Sequence, residues 1–237
     1  MFYSKEQDDD TSTDVTVQVH SHLRRMILFH HLPPGSRLNI RWIANKMNVS
    51  ATPVRESLIR LAEEGLIGLT PGRAYYTKPL LANEITEEYE TALLILKYSV
   101  ERNITKFSGS ILRKPIRFGE NIRSDEIAPN LTRSYSIFLE SLYEQIVNLS
   151  ANAKMLQIIR HFNNRTTHIR EIDIERPDRL AEITANTTEL IDLLEAQNTE
   201  GAIQNLQNQY RTKVAQIEHL VMVANSRALA NENPFDK

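Results

Sequence analysis

The stretch SATPVRESLIRLAEEGLI, residues 50–67, begins with small polar residues and a proline, becomes amphipathic, and ends at a glycine followed by two apolar residues. Ser50 is suited to cap a helix, and Pro53 is tolerated in a first helical turn. Gly65 supplies a C-terminal stop. The stretch therefore predicts a short helix with one buried stripe, made of Val54, Leu58, Leu61 and Ala62.

The residues before this helix predict two further helices. The first has an apolar face over residues 19–27, and the segment LPPGS ends it because two prolines and a glycine cannot continue a helix. Asn39 can cap a second helix, whose apolar positions repeat at helical spacing from Ile40 to Met47. Only three residues, NVS, separate the second helix from the third. Two short helices joined by so tight a turn predict a helix-turn-helix.

The residues after Gly65 predict a wing. LIGLT and AYYTK are short β-prone runs, and PGR between them predicts a hairpin tip at Pro71, Gly72 and Arg73. Residues 15–80 are therefore expected to form a winged helix-turn-helix. The alternative is a small helical bundle whose arginines are merely solvated.

Charge is distributed unevenly along the chain, although the formal net charge is only −2. Residues 1–14 hold one Lys against five Asp and Glu, and we expect them to form an acidic flexible tail. Residues 15–80 hold nine Lys and Arg against three Glu. This asymmetry favours a polyanion as partner of the winged helix-turn-helix, with a chance distribution as the alternative.

The third helix has the features of a DNA-reading helix. Thr52, Glu56 and Ile59 point away from its buried stripe and Arg55 lies on the flank, so its front end can enter a major groove. Arg55 can donate two parallel hydrogen bonds to guanine, and Glu56 is better suited to orienting a neighbour than to reading a base. Backbone contacts are expected from Arg41 and Lys46. The predicted DNA-binding residues are Arg41, Lys46, Ser50, Ala51, Thr52, Pro53, Arg55, Gly72 and Arg73.

A family resemblance rests on LPPGSRLNIRWIANKMNVSATPVRESLIRLAEEGLI, residues 32–67. This segment resembles the DNA-binding module of GntR-family bacterial transcription regulators, in which a P-G-x-x-L turn precedes the second helix and S-x-T-P-V-R-E opens the recognition helix. The resemblance implies a sequence-specific regulator of transcription that binds double-stranded DNA. One residue departs from the family pattern. Ala51 occupies a position where arginine is common, so one DNA contact is expected to be missing.

The sequence after residue 80 predicts helices and shows little strand signal, so the fold class is expected to be mainly α. Between residues 83 and 226 we expect an all-helical domain, and residues 227–237 are expected to form a flexible C-terminal tail. Residues 108–130 are expected to be partly loop, because two glycines and two prolines interrupt the pattern. The predicted helices span residues 83–104, 131–149, 152–171, 178–197 and 199–224.

The helical region is similar to the FadR/VanR-like branch of the same family. The similarity rests on the order of the helices and on ELIDLLEAQNTEGAIQNLQNQY, residues 189–210. It implies a C-terminal domain that binds a small-molecule effector and forms a homodimer. The expected function is a repressor that binds an inverted-repeat operator with an affinity set by the effector. The alternative is a DNA-bound dimeric regulator that has no small-molecule ligand and is controlled by a protein partner.

The same resemblance bears on metal binding, because many relatives hold a metal with Asp and His residues of this domain. The corresponding positions here have no metal-binding side chain, so no metal and no cofactor are expected. His161 and His168 lie seven residues apart without a third ligand at suitable spacing. The pocket is therefore expected to be neutral or apolar, and its candidate residues are Ala92, Leu96, Tyr135, Leu139, Thr187 and Gln209.

Composition and missing motifs exclude other classes of protein. The absence of cysteine removes disulfides, thiolate catalysis and Cys-ligated zinc. The sequence contains no G-x-S-x-G, Walker, H-E-x-x-H or G-x-G-x-x-G motif, so an enzyme is not expected. The N-terminus has no apolar signal core, and the run ALLILKYSV is too short to cross a bilayer. A cytoplasmic protein without a membrane partner is the expectation.

Overall fold

The computed structural model of the 237-residue chain describes residues 7–28, 32, 34–70, 74–115, 118–119, 127 and 129–230. These residues form two compact units. The N-terminal unit holds the described residues up to Leu80 together with the end of the last helix from Ala224, and the helical unit is Leu81–Val223. The structure confirms the predicted fold class, which is mainly helical with a small wing.

The N-terminal unit is a winged helix-turn-helix. Asn39 caps its second helix as predicted, because its side chain accepts a hydrogen bond from the Trp42 amide at 3.1 Å. Ser50 occupies the capping position of the third helix, but its side chain makes no capping hydrogen bond. Gly65 follows that helix with a left-handed φ of 71°, a conformation that glycine adopts without strain. The elements are α1 (Gln7–Leu28), β1 (Arg37–Leu38), α2 (Ile40–Met47), α3 (Ala51–Glu63), β2 (Ile67–Leu69) and β3 (Tyr75–Thr77).

The wing contains three antiparallel strands in the order β1-β3-β2. The predicted hairpin is present, with Gly68 of β2 opposite Tyr76 of β3. The sequence did not predict β1, which pairs Arg37 with Tyr76 and Leu38 with Tyr75. A strand of two residues is too short to show an alternating pattern. The predicted tip at Pro71, Gly72 and Arg73 lies outside the described residues.

The core of this unit forms where α1, α2 and α3 meet the inner side of the wing. Val54, Leu58 and Leu61 are fully buried, which confirms the predicted stripe of α3. Burying an aliphatic side chain of this size contributes roughly 1.5 to 3 kcal/mol, so these three positions stabilise the orientation of α3. Further buried members are Val19, Leu23, Ile27, Leu32, Leu38, Ile43 and Ile67.

Helices extend into both stretches that were predicted to be flexible tails. The helix α1 begins at Gln7, inside the stretch 1–14 that was predicted to be a tail. Acidic residues in a first helical turn are favoured by the helix dipole, so the run Asp8–Asp10 is compatible with a helix start. The last helix continues to Ala230, past the predicted boundary at residue 227.

The helical unit is a bundle in which α5 (Pro129–Asn148) and α6 (Ala153–Ile174) pack closely and α4 (Ala82–Asn103) lies against both. Its buried residues include Leu142, Ile146, Ile159, Phe162 and Leu190. A short 3-10 turn, Ile104–Lys106, follows α4, and a second, Gly109–Ile111, lies in the segment 108–130 that was predicted to be partly loop. The helices are α4 (Ala82–Asn103), α5 (Pro129–Asn148), α6 (Ala153–Ile174), α7 (Pro177–Glu195) and α8 (Thr199–Ala230).

The end of α8 belongs to the N-terminal unit. The side chain of Asn225 accepts a hydrogen bond from the Leu80 amide at 2.9 Å and donates one to the Leu80 carbonyl at 3.0 Å. Both main-chain groups of Leu80 are therefore satisfied by one amide side chain. The predicted domain boundary at residue 80 agrees with the division into units, but the N-terminal unit also takes in a second segment of the chain, which begins at Ala224.

Candidate nucleic-acid interface and internal cavity

The helix α3 has one buried face and one exposed face. Val54, Leu58 and Leu61 pack into the core, whereas Thr52 and Arg55 are exposed. Because successive residues of an α-helix are rotated by about 100°, the positions three and four apart share a face. The exposed face of α3 is therefore largely polar and is available for binding.

The helix α1 fixes α3 from its side. The Ser57 hydroxyl oxygen lies 3.2 Å from the Thr16 carbonyl oxygen, and the Thr16 hydroxyl donates to Glu56 at 3.2 Å. At the other end of α3, Arg24 donates to Glu64 at 3.1 Å and His20 Nε2 lies 2.7 Å from the same carboxylate. These contacts leave Glu56 as an orienting side chain, which agrees with the interpretation from the sequence.

Three arginines line one recess at the start of α3. Arg41 of α2 and Arg55 of α3 lie there together with Arg37 of β1, and Ala51 and Tyr75 complete the lining. No Asp or Glu is among the lining residues of this recess. Guanidinium groups gathered in this way suit phosphate and the acceptor edge of guanine, because both present paired oxygen or nitrogen acceptors.

The predicted DNA-binding residues differ in their exposure and in whether they line the recess. Arg41 and Arg55 share the recess, while Lys46 lies outside it, with its Nζ 5.6 Å from the centre of the Trp42 ring. Pro53 is buried, so it has no exposed surface for DNA, and its carbonyl accepts from Ser57 at 2.7 Å. Gly72 and Arg73 lie outside the described residues. Ser50, Ala51 and Thr52 are exposed at the front end of α3.

The sequence analysis missed Arg37. Its signal was present, because the residue directly follows the P-P-G-S turn and precedes a buried leucine. Without knowledge of strand β1, an arginine next to a turn is predicted to be an ordinary solvated residue. The pairing of Arg37 with Tyr76 places it beside Tyr75, at the edge of the recess.

The helical unit contains an internal cavity with about 70 Å³ of free volume. Its walls combine apolar side chains of α4, α5 and α8 with charged side chains of α6, α7 and α8. A cavity of this kind suits a small ligand, since apolar walls bury its carbon atoms and a few polar groups fix its orientation. Residues on the wall include Tyr89, Leu93, Leu96, Leu139, Ile183, Leu206, Arg170, Arg179 and Lys213.

The charged side of the cavity is organised around one carboxylate. Asp173 of α6 is fully buried, and Arg179 of α7 donates to it at 2.9 Å and 3.2 Å. Lys213 of α8 donates to the same carboxylate, and its side chain is only 12% exposed. Two cations thus contact a single buried carboxylate. Arg179 also contacts a second carboxylate, that of Glu182, whose side chain is 44% exposed.

The pKa shifts of this group follow from burial and pairing. Burial alone would raise the pKa of Asp173, but Lys213 and Arg179 outweigh it, so the pKa lies below its ordinary value. Burial lowers the pKa of Lys213, and the attraction of Asp173 offsets only part of that effect. The hydrogen bond from Arg179 to Asp173 raises the pKa of the arginine further.

Arg170, a second buried arginine, is satisfied by its own neighbours. Its guanidinium donates to Glu140 at 2.6 Å, to the Thr166 hydroxyl at 2.6 Å and to the Asn163 carbonyl at 2.7 Å. By contrast, the hydroxyl of Tyr89 has no hydrogen-bond partner within the described part of the chain. Burial raises the pKa of Tyr89 to about 12, so the group is a neutral donor. An occupant of the cavity could accept from Tyr89 and from the remaining donors of Lys213.

Four of the six candidate pocket residues line this cavity, namely Ala92, Leu96, Leu139 and Gln209. Tyr135 and Thr187 are buried but do not line it. The expectation of a neutral or apolar pocket did not include the paired cations on its wall, Arg170, Arg179 and Lys213. The expectation considered only positions where relatives carry metal ligands, and these cations lie elsewhere on the helices.

The sequence does contain a signal for the charged group. On α6, Phe162, Thr166, Ile169 and Asp173 follow one another at spacings of four, three and four residues. An ionisable residue that continues a buried stripe has to be paired, because an unpaired buried charge is strongly unfavourable. Lys213 occupies the same kind of position in the stripe of α8.

Metal ligands do not gather in the part of the chain that the structure describes, where no three His, Cys, Asp or Glu residues could together hold an ion. His161 Nε2 lies 4.0 Å from Glu88 on the outside of the helical unit. Over the same described ranges, none of the helices has both the length and the apolar character that crossing a bilayer requires.

Comparison with known proteins gives a consistent result. Residues 15–76 match the family model described as "Bacterial regulatory proteins, gntR family". The chain is 28% identical over 151 residues to the Nta operon transcriptional regulator of Aminobacter aminovorans, covering 62% of this chain and 70% of that protein. It is 21% identical over 217 residues to the HTH-type transcriptional regulator YdhC of Bacillus subtilis, covering 90% and 95%.

A solved structure supports the fold. The structure of McbR/YncC from E. coli superposes with a TM-score of 0.57 at 21% identity, covering 86% of this chain and 97% of that one. At 21% identity, this similarity is evidence for the fold alone.

We expect Asp173→Asn to lower the free energy of unfolding at neutral pH by about 3 to 5 kcal/mol, because it leaves Arg179 and Lys213 without their shared anion. The folded-state pKa of Asp173 is lowered, so its contribution is present above the ordinary carboxyl pKa and is lost as the pH falls through the folded-state value. Denaturant titrations across acidic pH should show the wild-type advantage shrinking. Asp178→Asn, at an exposed carboxylate bonded to Arg176, is the matched control; an equal loss in both variants would contradict the assignment.

Proposed function

Since this chain is a bacterial DNA-binding transcription regulator of the GntR family, we propose that it reads its operator with α3 and changes its DNA affinity when a small molecule occupies the cavity of the helical unit. The observation that carries the proposal is the recess in which Arg37, Arg41 and Arg55 meet at the exposed front end of α3. A repressor of the FadR/VanR-like branch is the specific form that we propose.

The chemistry of the recess supports a division of roles. Arg55 lies on the helix that can enter the major groove, where its two parallel donors match O6 and N7 of guanine. Arg41 and Lys46 are exposed on α2 and suit phosphate contacts, and Arg37 adds a third positive charge near Arg55. We include Gly72 and Arg73 at the wing tip as a prediction from the sequence. Ala51 cannot make the charged DNA contact that is expected of the arginine common at this position in the family. Arg37 is our candidate to supply that contact.

Arg55→Ala should weaken operator binding by about 1 to 3 kcal/mol and relax the base preference at one position of each half-site. Arg41→Ala is the contrasting variant, because loss of a phosphate contact weakens all sequences alike and reduces the salt dependence by about one charge. Binding-site selection from random DNA, followed by titration at several salt concentrations, separates the two effects. Uniform weakening by Arg55→Ala would reassign that side chain to the DNA backbone.

We propose a homodimer that binds an inverted repeat. One winged helix contacts few base pairs, and two copies related by a twofold axis double the number that are read. We assign dimerisation to the helical unit, whose α4 exposes Leu94 and Tyr98 one turn apart.

Sedimentation of the full chain at micromolar concentration should give a dimer. Leu94→Glu should shift the equilibrium towards the monomer, because it places a charge in an apolar contact, while Ile111→Glu at another exposed apolar position should leave it unchanged. A monomeric wild-type chain would refute the proposal.

The cavity supports a small anion with an apolar body as the effector. Lys213 lies on the cavity wall with Asp173 as its carboxylate partner, so an anion beside it would accept from its remaining N–H groups. Lys213 has three donors, and the Tyr89 hydroxyl offers another. Leucine and isoleucine side chains of the cavity lining would bury the carbon atoms.

Benzoate and butanoate should each raise the melting temperature of the full chain, and their primary amides should do so much less, because binding to the folded state alone stabilises it. The same carboxylates should weaken operator binding, which is the response of a repressor. Lys213→Met should abolish the difference between acid and amide, and Lys154→Met, at an exposed lysine, should preserve it. If neither acids nor amides act, control by a protein partner becomes the better hypothesis.

A further inference from the structure

One apolar residue interrupts the polar face of α3. Thr52, Arg55, Glu56 and Ile59 are all exposed, and Ile59 retains 41% of its accessible surface. The remaining large apolar residues of this helix, Val54, Leu58 and Leu61, are fully buried on the opposite side. Ile59 is therefore an aliphatic side chain on the face that we assign to DNA, where it takes no part in the protein core.

The spacing of the exposed residues matches that of a DNA-reading helix. Positions 52, 55, 56 and 59 are offset by zero, three, four and seven residues, and helices that lie along a major groove contact base edges with this set of offsets. The four side chains fall within about 100° of one another around the helix axis. The rise from Thr52 to Ile59 is about 10 Å, which is about three base-pair steps along B-DNA.

We propose that Ile59 reads the C5-methyl group of a thymine in each half-site. Thymine alone presents an apolar group in the major groove, whereas the edges of the other bases present donors and acceptors. An isoleucine placed against those polar edges would remove water from them without offering a hydrogen bond in return. This inference rests on the proposed function, because it requires α3 to lie in the major groove.

The neighbours of Ile59 limit where the thymine lies. Arg55 precedes it by one turn and reads guanine in the proposed function, so the thymine lies within a few base pairs of that guanine. Glu63 follows Ile59 by one turn on the same face and is exposed. Its negative charge opposes the phosphates, so the closely bound part of α3 ends near Ile59.

The test removes one methyl group from the DNA. Selection from random DNA with the full-length protein first supplies the operator, and each thymine of one half-site is then replaced by deoxyuridine, one at a time. Burial of one methyl group corresponds to a loss of about three- to fivefold in affinity when it is removed. We expect this loss at one thymine position and nearly unchanged affinity at the others.

A double-mutant cycle identifies the protein partner of that methyl group. Ile59→Ala should bind the thymine and deoxyuridine sites equally well, so the two changes should not be additive. Val17→Ala, at an apolar residue of α1 that is 47% exposed, is the matched control and should keep the full discrimination. Circular dichroism and melting of both variants establish that their fold is retained.

Two results would overturn the inference. One is an operator in which every deoxyuridine is tolerated, and the other is an Ile59→Ala variant that discriminates as the wild type does. In either case, selective binding that still depends on Arg55 would leave the proposed function intact. A selection that returns no preferred sequence would overturn both proposals together.

Discussion

The helical unit depends on the need to neutralise one fully buried carboxylate. Asp173 belongs to α6, Arg179 to α7 and Lys213 to α8, so the charge is balanced only when three helices meet. The loss of hydration of a buried ion amounts to several kcal/mol, and good geometry from both cations is required to offset it. Two of these side chains, Arg179 and Lys213, also line the cavity. Fold and binding chemistry therefore share their central residues, and a ligand that contacts Lys213 also acts on the packing of the bundle.

The N-terminal unit meets a different requirement, which is to present one helix face while burying the other. Thr16, His20 and Arg24 of α1 bond to residues on the side and the end of α3, and the core holds its apolar stripe. This anchoring holds the exposed face of α3 in one orientation. The wing brings Arg37 close to this face through a strand of only two residues.

Local patterns in the sequence were sufficient for most of the fold. The stripe of α3, the cap at Asn39 and the wing hairpin are local features, and each was predicted correctly. The strand β1 was missed because its pairing with β3 joins residues about 40 positions apart and leaves no local pattern. The cations of the cavity were missed for a related reason. Asp173 and Lys213 continue apolar stripes on separate helices, and only the packed bundle reveals that the two residues form a pair.

The position of Asn225 has a consequence for how this chain can be divided or recombined. Residues near both ends of the helical unit's sequence return to the N-terminal unit, where Asn225 satisfies the main chain of Leu80. A single crossover after residue 80 would transfer the DNA-reading helices without this side chain. A chimera that preserves the module needs a second junction near Ala224, inside a continuous helix. If α3 reads the operator as we propose, exchange of operator specificity between such regulators is easier through substitutions on α3 than through the shuffling of whole segments.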